Sequence, residues 1–167
     1  LKQMEGGDVE VLDRATTTIV NQVEAMKKMV NAFSEYARVP QVKLEPLDLN
    51  QLVREVLDLY RGSGGDSVIE DRLEARPSVI GGDGGRIRQL LHNLLKNALE
   101  ALGGKAGASV VISTKSGEEA GGSYVELCVD DNGPGFRADE LDSIFEPYVS
   151  SKPKGSGLGL AIVKRIV

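Results

Sequence analysis

Lys152-Pro153-Lys154-Gly155-Ser156-Gly157-Leu158-Gly159-Leu160-Ala161-Ile162-Val163 is a glycine-rich loop that opens directly into an apolar helix. Gly155, Gly157 and Gly159 let the backbone approach an anion closely and adopt positive φ. The free N–H groups at the helix start then face that anion, and the helix dipole favours negative charge there. Lys152 and Lys154 add positive charge on the approach. Loops of this kind are often only turns, so a phosphate site here requires other segments to supply the rest.

The stretch from Asp83 to Leu102 reads as a helix with a core stripe of Ile87, Leu91, Leu94, Ala98 and Leu102. Asn93 and Asn97 lie one turn apart on a flank of that stripe. A side-chain amide offers an oxygen to a hard cation and an N–H to a phosphate. The pair can therefore hold a Mg²⁺–triphosphate without adding fixed charge. The bland alternative is that both face water, although asparagine is a poor helix former and a mid-helix pair asks for a reason.

Asp131-Asn132-Gly133-Pro134-Gly135 ends a strand in which Val125, Leu127 and Val129 share one face, and alternation extends that face to Asp131. A carboxylate at the end of a core-facing row needs a partner. The amino group of adenine would serve, with Gly133 and Gly135 leaving room for a flat base. The competing reading is an Asp-Asn-Gly turn with no ligand.

The elements that must position these residues alternate between helix and strand. Asp48 is expected to cap a helix carrying Leu52, Val53, Val56, Leu57 and Tyr60, followed by a turn at Gly62 to Gly65. Strands are expected near Ser67–Leu73 and Ser78–Ile80, then as a hairpin of Ser109–Thr114 and Tyr124–Asp131 joined by a polar loop with Gly117, Gly121 and Gly122. A short helix around Ala138–Phe145 and a final helix from Gly159 complete the order. The fold class is α+β, a two-layer sandwich with helices on one face of a mixed sheet.

Ahead of that domain, Leu12, Ile19, Met26 and Phe33 recur every seven residues and interleave with Thr16, Val23, Val30 and Ala37. This is a heptad seam on a helix of roughly 25–30 residues, started by Asp8 or Asp13 after a Gly6-Gly7 turn. A seam this regular more often joins a bundle or a dimer than packs on its own domain. Pro40 and Pro46 bracket a connector, Val39 to Asp48, which sets the expected domains at 1–40, a linker at 41–47, and 48–167.

Composition limits the function classes. The 167 residues are 41% hydrophobic and 27% charged, as in soluble globular proteins. A net charge of −5 argues against a general nucleic-acid or anionic-membrane binder. The single Cys128 excludes an internal disulfide and fits a reducing compartment. No apolar run approaches the ~20 residues of a membrane span, and the opening residues do not read as a leader. Leu1 falls mid-pattern, so the sequence is expected to be a fragment of a longer protein.

The ordered segments resemble the boxes of the GHKL (Bergerat-fold) ATPases, and in particular of sensor histidine kinases. His92-Asn93-Leu94-Leu95-Lys96-Asn97-Ala98 is similar to the N box and Asp131-Asn132-Gly133-Pro134-Gly135 to the G1 box. Ile144-Phe145-Glu146-Pro147-Tyr148 resembles the F box, and Gly155-Ser156-Gly157-Leu158-Gly159-Leu160 the G2 box. The stretch Ile144–Val167 is similar to nitrogen-regulation kinases of the NtrY and NtrB type. The heptad helix, ending Phe33-Ser34-Glu35-Tyr36-Ala37-Arg38, resembles the second helix of their dimerisation and phosphotransfer domain.

The resemblance implies ATP and Mg²⁺ as cofactors, with Asn97 on the metal, Asn93 toward the phosphates and Asp131 accepting from adenine. It implies that Gly133 and Gly135 shape the base pocket and that Arg137 to Ser156 form a lid anchored by Phe145 and Tyr148. Ser156, Gly157, Leu158, Gly159 and Leu160 would border the phosphates, with Lys152 compensating charge. The implied reaction moves the γ-phosphoryl group to a histidine and then to an aspartate of a response regulator. A homodimer through the helical region, a bacterial cytoplasmic location and a parent anchored in the inner membrane are implied too.

Three departures stand out. No H box is present, and the one histidine, His92, sits beside the expected nucleotide, so nucleotide binding without self-phosphorylation is expected. Glu100 occupies a position where many relatives carry a basic residue. The family fold continues past the final helix, so an incomplete sheet is expected if the molecule ends at Val167. Two other classes are a GHKL machine that hydrolyses ATP and a non-catalytic dimerising module. The hydrolytic relatives carry a glutamate as general base where Asn93 stands, and asparagine cannot take a proton.

Overall fold

The computed structural model describes residues 6–37, 42–61, 68–103, 105–150, 152 and 155–167. Five strands and four helices run in the order α1 (Gly6–Ala37), β1 (Glu45–Asp48), α2 (Leu49–Arg61), β2 (Val68–Leu73), β3 (Val79–Gly82), α3 (Gly84–Leu102), β4 (Ser109–Glu119), β5 (Gly122–Asp131) and α4 (Gly159–Ile166). The expected turn at Gly62 to Gly65, Ser67, Val39 and Pro40 lie outside the described residues. The same holds for the side chains of Phe33 and Ala37.

Two sheets form. Strand β4 is central to a mixed sheet, parallel to β2 and antiparallel to β5, while β1 and β3 make a separate antiparallel pair. One core joins α2, α3 and α4 to the larger sheet. Leu52, Val53, Val56 and Leu57 of α2 meet Leu91, Leu95, Ala98 and Leu102 of α3 over Val110 and Ile112 of β4. This is the expected α+β sandwich, with Val125, Leu127 and Val129 partly buried at its margin.

Caps decide where the helices begin. Asp83 Oδ1 accepts from the N–H groups of Gly85 and Arg86 at 3.0 and 3.2 Å, which fixes the start of α3 where the sequence puts it. Its Oδ2 accepts from the Lys43 N–H at 3.1 Å. Asp48 Oδ1 accepts from the N–H of Gln51 at 3.1 Å and from Ser78 Oγ at 2.9 Å. Residues 43–48 are thus tied to the α/β body at both ends. The connector expected up to Asp48 therefore contains a strand, with Leu47 packed against the core.

Other expectations change in detail. Helix α1 already includes Gly6, Gly7 and Asp8, so neither Asp8 nor Asp13 starts it and no turn occupies Gly6-Gly7. The β4–β5 hairpin runs on to Glu119 and resumes at Gly122, leaving a much tighter loop than expected. Gly117 is a strand residue opposite Tyr124, whose ring fills the space a Cβ would occupy, with Cζ 2.4 Å from that position. Residues 138–145 are not a helix but successive turns, closed by Glu140 N–H to Arg137 O and Ser143 N–H to Glu140 O at 3.0 and 2.9 Å. Their side chains bury no apolar face, and a short helix without tertiary packing is marginal in water.

Asn50 is 2% exposed, a polar residue inside the core that the sequence did not single out. Its Oδ1 accepts from the Thr114 hydroxyl at 2.7 Å, and its Nδ2 donates to Ala75 O at 3.2 Å. One amide therefore links α2, β4 and the segment between β2 and β3.

Two outcomes follow for stability. Asn50→Ala leaves the buried Thr114 hydroxyl without its acceptor, while Ala75 O keeps its bond from Arg76 Nη1, and chemical denaturation should show a loss of about 1–3 kcal/mol. Thr114→Val should cost less in that background than in the wild type, because the hydroxyl has already lost its acceptor, although the Ala75 N–H loses its bond to Thr114 Oγ1 in both. The Lys43 N–H, and after it the Arg86 N–H, hold the Asp83 carboxyl below its ordinary value. Its contribution is present above that ordinary value and disappears as pH falls through the lowered one. The stability difference between wild type and Asp83→Asn should therefore narrow below about pH 4.

Candidate functional site

Helix α3 is the platform of the site. Leu90, Leu91, Leu95, Ala98 and Leu102 are its buried residues, while Ile87 and Leu94, expected in the stripe, are only partly covered. The buried face is rotated toward Leu95, and the neighbouring face presents Asn93, Asn97, Glu100 and Ala101 at helical spacing. Asn93 Nδ2 donates to Gln89 O at 3.0 Å, so the amide is oriented by its own helix. No described residue hydrogen-bonds to the Asn97 amide.

Gly159, first residue of α4, sits directly over this pair. A Cβ built there would lie 3.4 Å from Asn97 Nδ2, 3.5 Å from Asn93 Oδ1 and 3.6 Å from Asn97 Oδ1. A larger side chain would cover both amides. No side chain caps the start of α4, so its first N–H groups are left for another acceptor. Leu158, Ala161, Ile162 and Val163 are buried and hold α4 in place, whereas Gly155 and Ser156 are exposed and Leu160 is half-buried. The asparagine pair and the glycine loop, far apart in sequence, thus form one surface.

The loop is closed at its base. Tyr148 N–H donates to Gly157 O at 2.9 Å, and both residues have left-handed backbones, φ 67° and 64°. A Cβ on Gly157 would fall 2.5 Å from the Tyr148 carbonyl carbon, so glycine is required there twice over. Tyr148 therefore anchors the segment through its backbone. Its side chain is 55% exposed and that of Phe145 39%, so neither ring is an anchor by burial. Pro153 and Lys154 lie outside the described residues. Lys152 donates from Nζ to Glu100 Oε2 at 2.8 Å, a pairing that sequence reading did not foresee.

Asp131 reaches the same helix from the other side. Its Oδ1 accepts from the Gly133 N–H at 2.8 Å, the Asx turn of the competing reading, and the carboxylate is exposed rather than buried at the end of its row. A Cβ on Gly133 would lie 2.6 Å from that oxygen and 3.4 Å from Ala101 Cβ, one turn beyond Asn97. Gly135 turns with φ 70° in open space. Asn132, which the sequence reading gave no role, staples the turn: Oδ1 accepts from Ser109 N–H and Nδ2 donates to Gly107 O, both at 2.9 Å. His92 faces away to α2, its Nδ1 sharing a hydrogen bond of 2.9 Å with Tyr60 OH. Burial pushes the Tyr60 phenol up, which keeps it neutral in that pair.

Glycines at the two close approaches and side-chain amides between them fit a polyphosphate and a hard cation better than they fit an apolar ligand. Among the described residues no cluster of histidine, cysteine and carboxylate side chains offers a separate metal site, and no helix is long and apolar enough to cross a membrane.

Comparisons with known proteins agree with this geometry. The chain is 32% identical, over 96% of its length, to the nitrogen regulation protein NtrY of Azorhizobium caulinodans, of which it spans 21%. It spans about a fifth to a third of the curated relatives it matches first. Among solved structures, the nucleotide-free catalytic domain of the histidine kinase ThkA superposes with a TM-score of 0.64 at 28% identity, covering 74% of this chain and 78% of that one. ThkA in complex with the response regulator protein TrrA gives 0.71 over 100% of this chain and 46% of that one, at 24% identity, a likeness of fold alone. A family model described as histidine kinase-, DNA gyrase B-, and HSP90-like ATPase matches residues 82–167. That match begins at the end of β3 and runs through α4, taking in the asparagine pair, the Asp131 turn and the glycine loop, and the chain belongs to this GHKL family of nucleotide-binding domains.

Proposed function

We propose that this chain is the ATP-binding portion of a two-component sensor histidine kinase, with residues 1–40 from its dimerisation and phosphotransfer region and 48–167 its catalytic domain, to which β1 adds residues 45–47 of the linker expected at 41–47. The observation that carries the reading is Gly159 seated on the Asn93–Asn97 pair, with Gly133 against the same helix one turn on. Asn97, whose amide has no described partner, is assigned to Mg²⁺, and Asn93 Oδ1 and the uncapped N–H groups of α4 to the phosphate side. Asp131 is assigned to the adenine amino group. Its carboxylate keeps a second oxygen for that bond while Oδ1 holds Gly133.

Bound ATP supplies the phosphoryl group, and the chain's own residues position and neutralise it. Lys152 and the glycine loop exclude water and hold the phosphates, and no residue of the site acts as a base. Asn93 cannot take a proton, and His92 turns its Nδ1 away to Tyr60 on α2, so neither is assigned to activating water or accepting phosphate. The acceptor imidazole belongs to a helix outside this chain, and the aspartate of a response regulator follows it. The exposed seam of α1 supports a homodimer: Leu12, Ile19, Val23, Met26 and Val30 are each 58–64% exposed. A cytoplasmic site of action, with the parent anchored in the inner membrane, rests on the family resemblance.

Calorimetric titration with a non-hydrolysable ATP analogue should show binding that Mg²⁺ strengthens. Asp131→Asn should weaken it at least about tenfold, as expected for loss of a charge-assisted hydrogen bond. Asn97→Ala should abolish the Mg²⁺ dependence. Gly157→Ala should weaken binding while the far-ultraviolet dichroism stays that of the folded chain. Incubation with γ-labelled ATP should leave the chain unlabelled; a labelled His92 would refute the assignment of the acceptor to another segment.

A further inference from the structure

Glu100 and Lys152 are 52 positions apart, yet Lys152 Nζ lies 2.8 Å from Glu100 Oε2. The other carboxylate oxygen has Lys96 Nζ at 3.9 Å. Glu100 stands one turn past Asn97 on the face of α3 that carries the asparagine pair. The backbone of Lys152 is itself held within the loop. Its N–H donates to Ser150 Oγ at 3.2 Å, its carbonyl accepts from Gly155 N–H at 3.1 Å, and the loop base is closed by Tyr148 and Gly157. The Lys152 ammonium therefore ties the loop to α3, and Glu100 determines where that ammonium rests.

We propose that Glu100 is a latch for the loop: it holds Lys152 when the phosphate site is empty and yields it to the phosphates when nucleotide binds. The inference rests on the ATP-site reading above. A carboxylate carries one negative charge and the pair is partly exposed, 38% and 44%, so it is a weak tether by the usual measure of such pairs. A triphosphate carries several charges and more acceptor oxygens, and one ammonium cannot serve both fully. Binding therefore breaks one ion pair to make another. The glutamate lowers affinity by the strength of the pair it loses, and it holds the Lys152 ammonium over α3 before nucleotide arrives. Glu100 touches no substrate in this scheme and acts only through Lys152.

The test is a double-mutant cycle on the 167-residue chain, titrated calorimetrically with the imido analogue of ATP and Mg²⁺. Glu100→Gln should tighten binding by about two- to fivefold, the range of an exposed ion pair. Lys152→Gln should weaken it, and Glu100→Gln should then add nothing in the Lys152→Gln background. A gain that persists without Lys152 would mean that Glu100 repels the phosphates directly, and the latch would be wrong. No gain at all, or weaker binding, overturns it equally. In the nucleotide-free chain, hydrogen exchange at the Lys152 and Gly155 amides should accelerate in Glu100→Gln, and unchanged exchange counts against a tether. A wild-type chain that binds no analogue defeats the ATP-site reading and the latch together, whereas normal wild-type binding with an inert Glu100→Gln defeats the latch alone.

Discussion

The burial of one face of α3 against the larger sheet sets every distance in the site. Leu91 and Leu95 are fully covered, and Leu90, Ala98 and Leu102 nearly so. With that face locked into the core, the adjoining face has no rotational freedom, and Asn93, Asn97, Glu100 and Ala101 must point where the glycine loop and the Asp131 turn arrive. The helix start is equally constrained, since Asp83 caps it and also binds the Lys43 N–H. A loosely packed α3 would leave the residues present and the geometry lost, because close-packed interiors transmit small shifts without damping them.

Most of this platform was legible in the sequence because its signals are local. The start at Asp83 and the 3.6-residue period to Leu102 are both read within a turn of the residues they govern, and the structure adds the stop, Gly103 with φ 58°. The glycine loop and the Asp-Asn-Gly turn were visible for the same reason. What stayed hidden depends on partners distant in the chain. Strand β1 is four residues long and contains Pro46, which only its pairing with Gly81 of β3 makes part of a sheet. Strand β4 continues through Gly117 because Tyr124 across the ladder supplies the missing bulk. The polar segment Ala138–Phe145 has helical composition but no apolar face buried by the core.

The polar contacts divide in the same way. Asn50 and Thr114 are 64 positions apart, and nothing near either residue announces a buried pair. Glu100 and Lys152 were each noticed, one as a departure from the family pattern and one as charge compensation for the phosphates, and only the fold joins them. Asn132 shows the opposite case. The sequence placed it inside a recognised turn but gave it no work, and its bonds to Gly107 in the α3–β4 connection and to Ser109, the first residue of β4, hold that turn in place. A motif can therefore be recognised while the residue that supports it goes unassigned.

The back-to-back left-handed residues Tyr148 and Gly157 have a consequence for how such a domain can diverge. Their hydrogen bond closes the intervening segment into a ring, so the positions of Tyr148 and Gly159 do not depend on what lies inside it. Closure entropy grows only slowly with length, about 0.6 kcal/mol for each doubling. Insertions and deletions between residues 149 and 156 are thus cheap, while substitutions at the two pinch residues are not. The segment whose length variation can alter most freely is therefore bounded by fixed ends, and such changes leave undisturbed the glycine that lies on the asparagines.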